Sequence, residues 1–170
     1  YSSYLRWDAM RNPIAAKILE TEDCSAFFKG VPELSVRPLG TAKIHRFPQA
    51  AIDQIKAHQL DVILRFGFNI LKGDILTAAR CGIWSYHHGD NDQFLGGPPG
   101  YWELVQNEPL TGALLQVLNE LIDHGGVLAK PVAPTIHGLS RVTNAAAPYL
   151  AAETMVIEKL HALHTRGWDV

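Results

Sequence analysis

The stretch LDVILRFGFNILKGDILTAARCGIWSYHH, Leu60 to His88, decides the class of fold. Its opening, LDVILRFGF (60–68), is a continuous apolar run of the kind a buried parallel strand shows. GDILTAARCG (73–82) reads as a short helix that Gly82 ends, and IWSYH (83–87) as a second strand. Strands alternating with helices imply an α/β fold. Upstream, PQAAIDQIKAHQ (48–59) spaces Ala51, Ile52, Ile55 and Lys56 as a helix with apolar and polar faces. ELSVRPLG and KIHRF before it have the short extended look of strands or loops. In NPIAAKILE, Asn12 and Pro13 have the form of a cap and a first helical residue. Downstream, PPGYWELVQN reads as a helix started by proline, TGALLQVL as a further strand and GGVLAKPVA as a fourth extended piece. Residues Leu139 to Arg166 form a closing helix (139–167), with an interruption expected near Pro148. The whole predicts an open, mostly parallel sheet flanked by helices. Ligands of such sheets bind beyond the carboxyl ends of the strands, where His87 and His88 fall.

At 170 residues the chain is about one domain by length and is read as a single domain, residues 1–170. With 47% hydrophobic and 19% charged residues and a net charge of −2, it lacks the basic excess that a nucleic-acid partner requires. No run approaches the ~18 apolar residues of a membrane span, and no signal-peptide pattern opens the chain. Cys24 and Cys81 lie far apart, outside any metal-ligand spacing, and read as reduced thiols of an intracellular, cytoplasmic protein. The sequence opens on Tyr1 rather than Met, so it is expected to continue upstream.

The polar residues after the second strand, in SYHHGDNDQFLGGPPGYWEL (85–104), admit several readings. His87 and His88 alone are as readily the polar end of a strand. Asp90 and Asp92 are close by, but H-H-x-D-x-D is not a spacing that maps onto tetrahedral ligation, and no metal is expected. Asp123, ahead of two glycines in LIDHGGVL, reads by itself as a loop former. In GGPPGYW, Gly96 and Gly97 let backbone approach a ligand, and Tyr101 and Trp102 either pave a pocket or pack inward at a helix start.

Taken together and in order, these residues resemble the folate-dependent formyltransferases, the group that includes glycinamide ribonucleotide and methionyl-tRNA formyltransferases. The family's Asn-Ile-His-Pro-Ser-Leu-Leu-Pro motif corresponds to the segment beginning SYHHGDND. NEPLTGALLQVLNELIDHGGVL resembles the family's Thr-Gly strand followed by Asp-x-Gly, and DVILRFGFNIL resembles the strand and loop flanking its folate pocket. The likeness is strongest over residues 60–129. It implies the Rossmann-like formyltransferase fold; residues 1–30 do not read as the strand and helix that open it, so that unit is expected to be missing.

The resemblance also implies roles. His87 falls on the catalytic histidine, Asp123 on the catalytic aspartate and Ser85 on the catalytic asparagine. Phe68, Asn69, Ile70 and Leu71, with Leu121, Ile122 and Gly125, fall on the walls of the pocket for 10-formyltetrahydrofolate. His88, Gly96, Gly97, Tyr101 and Trp102 fall on the side of the amine acceptor. In the implied reaction His87 stabilises the growing oxyanion and protonates the leaving nitrogen. Asp123 keeps the imidazole protonated and takes the amine's proton through a water. The acceptor is expected to be a small molecule, an amino sugar or sugar nucleotide, with no nucleic acid or membrane as partner. Three departures point to an alternative, an altered folate-binding domain or a formyltetrahydrofolate hydrolase. Leu95 stands where many relatives have arginine, and the His87–His88 pair is similar to the deformylases. The third is Ser85. Losing an oxyanion donor costs roughly 3–4 kcal/mol, and a misplacement of about 1 Å already costs some 10²-fold. A neighbour such as His88, or a water, has to restore the contact that serine is too short to make.

Overall fold

The computed structural model describes residues 2–89, 94, 98–121, 124–138 and 140–168. In chain order the elements are helices α1 (Ser2–Arg11) and α2 (Pro13–Ile18), strands β1 (Leu39–Gly40) and β2 (Ile44–Arg46), and helix α3 (Gln49–Ala57). Strands β3 (Ile63–Arg65), β4 (Ile70–Leu71) and β5 (Ile83–His88) follow, then helix α4 (Trp102–Val105) and strands β6 (Leu110–Val117), β7 (Gly126–Ala129) and β8 (Val132–Pro134). Helices α5 (Arg141–Glu153) and α6 (Met155–Arg166) close the chain. The larger sheet has the order β3-β5-β6-β7, with β8 on β6, and a smaller sheet has the order β1-β2-β4. The class is α/β with a parallel-containing sheet, as the alternation of strands and helices predicts. The chain divides into two compact units, Glu22–Ser85 with Gln116–Gly126, and Tyr1–Thr21 with Tyr86–Leu115 and Val127–Val170.

In the first unit β3 and β5 run parallel, pairing Ile63 with Ile83, Leu64 with Trp84 and Arg65 with Ser85. Ile52 of α3, Leu71, Ile75, Leu76, Ala78 and Ile83 form its core. Fully burying an aliphatic side chain is worth about 1.5–3 kcal/mol, so this cluster is what holds α3 and the two strands together. Two elements are shorter than the sequence predicts. The strand expected over 60–68 stops at Arg65, because Gly67 takes a positive φ of 80° and turns the chain toward β4 in the smaller sheet. The helix expected over 73–82 is a single 3-10 turn, Asp74–Thr77. The amides of Arg80 and Cys81 bond the carbonyls of Leu60 and Asp61 instead of extending that turn. Gly82 ends the segment with a φ of 73°, and a Cβ there would lie 2.8 Å from Val117 Cγ1.

In the second unit β6 is buried over most of its length, as a central strand should be. The extended piece expected over 125–133 is two strands, and β8 returns antiparallel to β6, pairing Thr111 with Ala133. Residues 2–30 hold α1, α2 and a 3-10 turn, with no strand. Asp8 of α1 is fully buried, its Oδ2 accepting from the Val142 amide at 2.9 Å and its Oδ1 from Asn12 Nδ2 at 2.9 Å. It thus caps the first turn of α5, where carboxylate and helix dipole attract. Asn12 spends its amide on Asp8 and makes no side-chain cap of its own on α2. The closing helix runs through Pro148 and breaks at Thr154, later than its sequence predicts. At that break the Tyr86 hydroxyl donates to the Ala152 carbonyl at 3.0 Å and accepts from the Val156 amide at 3.3 Å. A single buried hydroxyl therefore satisfies the backbone groups that the break exposes.

Candidate active site

Strand β5 carries Ser85 and His87 two residues apart, so they project to the same side of the strand. Ser85 is only 2% exposed, and its hydroxyl accepts from Arg65 Nη1 at 2.9 Å. Arg65 is its register partner on the parallel strand β3. The same guanidinium uses Nη2 to bond the carbonyls of Phe68 and Asn69, the latter at 3.1 Å. Its Nε–H is buried and has no acceptor. Burial lowers the arginine's pKa, yet an arginine stays charged in proteins. No carboxylate among the described residues pairs with it. One cation therefore ties β5 to the loop that follows β3 and keeps a donor in reserve.

That loop is held from its other side as well. Asn69 Nδ2 bonds the Ala42 carbonyl at 2.8 Å and meets His45 Nε2 at 3.2 Å. The Phe68 ring stands edge-on to His45, with centroids 6.4 Å apart, and packs on Phe47 at 5.4 Å. Ile70 and Leu71 continue into β4, parallel to β2. Beside them lies a cavity of about 240 Å³ whose walls include Phe47, Ile63, Leu64, Phe68 and Leu71, with Arg65 the one charged residue in its lining. Such a space takes an apolar, flat group and offers it a single strong donor.

The segment 119–125 is tied to the same unit. Glu120 accepts from Lys72 Nζ at 2.7 Å through its carbonyl and from the Gly73 amide at 2.7 Å through Oε1. Asn119 Oδ1 accepts from the Leu121 amide at 2.8 Å, and its Nδ2 donates to the His124 carbonyl at 2.7 Å. One side chain thus ties Leu121 to His124. Gly125 lies so close to β6 that a Cβ would come within 2.2 Å of the Val117 carbonyl oxygen, which only glycine tolerates.

On the other unit, His88 stacks on Tyr149, centroids 4.0 Å apart and planes 11° from parallel. The Tyr86 ring is also near-parallel to it, with centroids 6.3 Å apart. Burial, and then the neighbouring His87, push the His88 pKa below its usual value. Gly89, with a φ of 137°, lets the chain leave β5 just beyond the His87 ring. Tyr101 and Trp102 meet edge to face at 5.2 Å, where Trp102 is the first residue of α4 and is 39% exposed.

No protein-family model matches the chain. A bifunctional polymyxin resistance protein, ArnA, from Wigglesworthia glossinidia brevipalpis is 31% identical over 80 residues, 46% of this chain and 12% of that protein. A methionyl-tRNA formyltransferase from Chlorobium limicola is 23% identical over 116 residues, 68% of this chain and 36% of that protein. Among solved structures, a phosphoribosylglycinamide formyltransferase from Streptococcus pneumoniae TIGR4 superposes with a TM-score of 0.56 at 20% identity, covering 69% of this chain and 66% of that one. These likenesses support the folate-dependent formyltransferase family, and the solved structures share the fold. It spans well under two thirds of the length of either curated relative.

Against the site expected of a formyltransferase, the structure brings Phe68, Asn69, Ile70 and Leu71 together with Ser85 through Arg65. It sets Leu121, exposed, and Gly125 on the segment 119–125. Asp123, Ile122, Gly96, Gly97 and Leu95 lie outside the described residues, as do Asp90 and Asp92. Among the described residues no group of three His, Cys, Asp or Glu could hold a metal, and no helix is long and apolar enough to cross a membrane. Sequence reasoning missed Arg65. The signal for Arg65 was visible: a lone charge inside the apolar run VILRF, on a strand predicted to be buried.

Proposed function

We propose that this chain carries the formyl-transfer chemistry of its family, moving a formyl group from 10-formyltetrahydrofolate to the amine of a small acceptor, an amino sugar or sugar nucleotide. The observation that carries the reading is His87 at the carboxyl end of β5 in the formyltransferase fold, with Ser85 behind it. The near-neutral charge favours a small acceptor over a polyanion.

The donor's fit is supported at one point, the cavity beside Phe68 and Leu71. At about 240 Å³ it is smaller than the roughly 300–1,000 Å³ of a whole-ligand pocket. It accommodates part of the donor, its fused-ring head, against Phe68, with the backbone of Asn69 to Leu71 and of Leu121 to Gly125 as further walls. The donor supplies the formyl carbon that the amine attacks. His87 hydrogen-bonds the carbonyl oxygen as negative charge grows there and holds a proton for the departing nitrogen. Asp123 removes the attacking amine's proton through a water. His88, Gly96, Gly97, Tyr101 and Trp102 flank the acceptor. No step calls for a metal. The reaction's setting is the cytoplasm, and residues 1–170 act as one formyltransferase-like domain.

A second reading has water as the acceptor, which makes the chain a hydrolase of the donor; the His87–His88 pair favours it. One experiment tests both. The protein is incubated with 10-formyltetrahydrofolate and a panel of amino sugars and amino-sugar nucleotides, with an amine-free control. Amine-dependent release of tetrahydrofolate supports transfer, and formate in the control supports hydrolysis. Neither product with any acceptor overturns the function.

A further inference from the structure

We infer that Arg65 is a positioning residue of the formyl-transfer site, supplying with Ser85 the donor function that a longer residue at position 85 would give alone. The inference rests on the proposed function and concerns Arg65, to which the family motif assigns no role. Four observations carry it. Arg65 and Ser85 are register partners on parallel strands, and Nη1 meets Oγ at 2.9 Å. The serine is buried, so this bond is charge-assisted and polarises a hydroxyl shielded from water. The other oxygens that the guanidinium binds are neutral carbonyls, those of Phe68 and Asn69. Its Nε–H is buried and has no acceptor among the described residues, and Arg65 is the charged residue lining the apolar cavity. Buried donors are nearly always matched. With no carboxylate among the described residues paired to it, the guanidinium's charge is left to act through the Ser85 hydroxyl on an oxygen bound at the site.

A mere clamp on the loop would explain the bonds to Phe68 and Asn69, but not the bond to Ser85 or the absence of a counter-charge among the described residues. The two roles separate experimentally. Arg65→Ala and Arg65→Lys are each expected to lower kcat for formyl release by roughly 10²-fold or more, the cost of one preorganised donor, with a much smaller change in the donor's KM. Lysine keeps the charge but loses the planar fork, so it does not rescue. Arg65→Ala combined with Ser85→Asn regains most of the lost rate, because asparagine brings its own donor to position 85.

The second readout is binding. Wild-type protein should hold a non-reactive formyl-bearing folate analogue more tightly than the same analogue without its formyl group, measured by calorimetry. In Arg65→Lys, whose folding is confirmed by its Tm, that preference should vanish while affinity for the formyl-free analogue persists. Equal weakening of both analogues, unchanged kcat in Arg65→Ala, or no recovery with Ser85→Asn overturns the role of Arg65 and leaves the folate reading standing. Failure of wild-type protein to bind either analogue overturns the folate reading and the inference with it.

Discussion

Asn144 and Arg65 each join separate segments through hydrogen bonds, those of Asn144 buried and those of Arg65 half-buried to exposed, and they are satisfied to different degrees. Asn144 is fully buried. Its amide meets Thr111 Oγ1 at 2.9 and 3.1 Å, accepts from the Ile136 amide at 2.9 Å and donates to the Gly100 carbonyl at 3.0 Å. Every donor and acceptor it has is used, and Thr111 bonds onward to Thr135. Arg65 bonds Ser85, Phe68 and Asn69 but, among the described residues, leaves a donor unmatched and a charge without a counter-ion. A saturated buried network specifies a fold. An unsaturated one costs stability, and is kept for what it binds.

Breaking Asn144 should therefore show mainly as lost stability. Asn144→Ala strands Thr111, Ile136 and Gly100 groups in the interior at roughly 1–3 kcal/mol each. Urea unfolding should report a loss of about 3 kcal/mol or more. Asp8→Ala removes the α5 cap within the same unit and should cost about 1–2 kcal/mol by the same measurement.

The His88 stack sharpens the comparison through pH. A histidine whose folded pKa lies below its usual 6.5 is harder to protonate in the fold than in the unfolded chain. Its stabilisation is complete above the unfolded pKa and is lost as pH falls through 6.5 toward the folded value. The Tm of wild-type protein should fall between about pH 7 and pH 5, and His88→Phe, which keeps the stack on Tyr149, should flatten that part of the curve. The smallest effect belongs to Arg65. Arg65 is half-buried and its bonds to Phe68 and Asn69 lie at the surface, so Arg65→Leu should move stability by no more than about 1 kcal/mol. A loss as large as that of Asn144→Ala would erase the distinction between the two residues.

What was legible in the sequence was what is local. Apolar runs at 60–68, 83–87 and 111–118 and the period of 48–59 announced β3, β5, β6 and α3, because each pattern is a property of its own segment. The ordered motif around His87 announced the family for the same reason. The parts that were not legible depend on distant partners. α1 shows no strong apolar face; what seats it is one carboxylate, Asp8, matched by an amide at Val142. The break of the closing helix follows a hydroxyl from Tyr86 rather than Pro148. At position 85 the sequence pointed to His88 or a water as the neighbour that would make up for serine. The structure sets the Arg65 guanidinium against Ser85 from the adjoining strand and the His88 ring on Tyr149. Nothing in the spacing of Arg65 and Ser85, twenty residues apart, states that they are cross-strand partners; only the register does.

The account's central claim is that His87 drives formyl release from the donor. The most direct measurement is the rate of tetrahydrofolate release from 10-formyltetrahydrofolate by wild-type protein and by His87→Ala, with the best acceptor or with water alone. A general acid of this kind contributes roughly 10²–10⁴-fold, and the account predicts a loss in that range with the fold intact. Undiminished release by His87→Ala would contradict it.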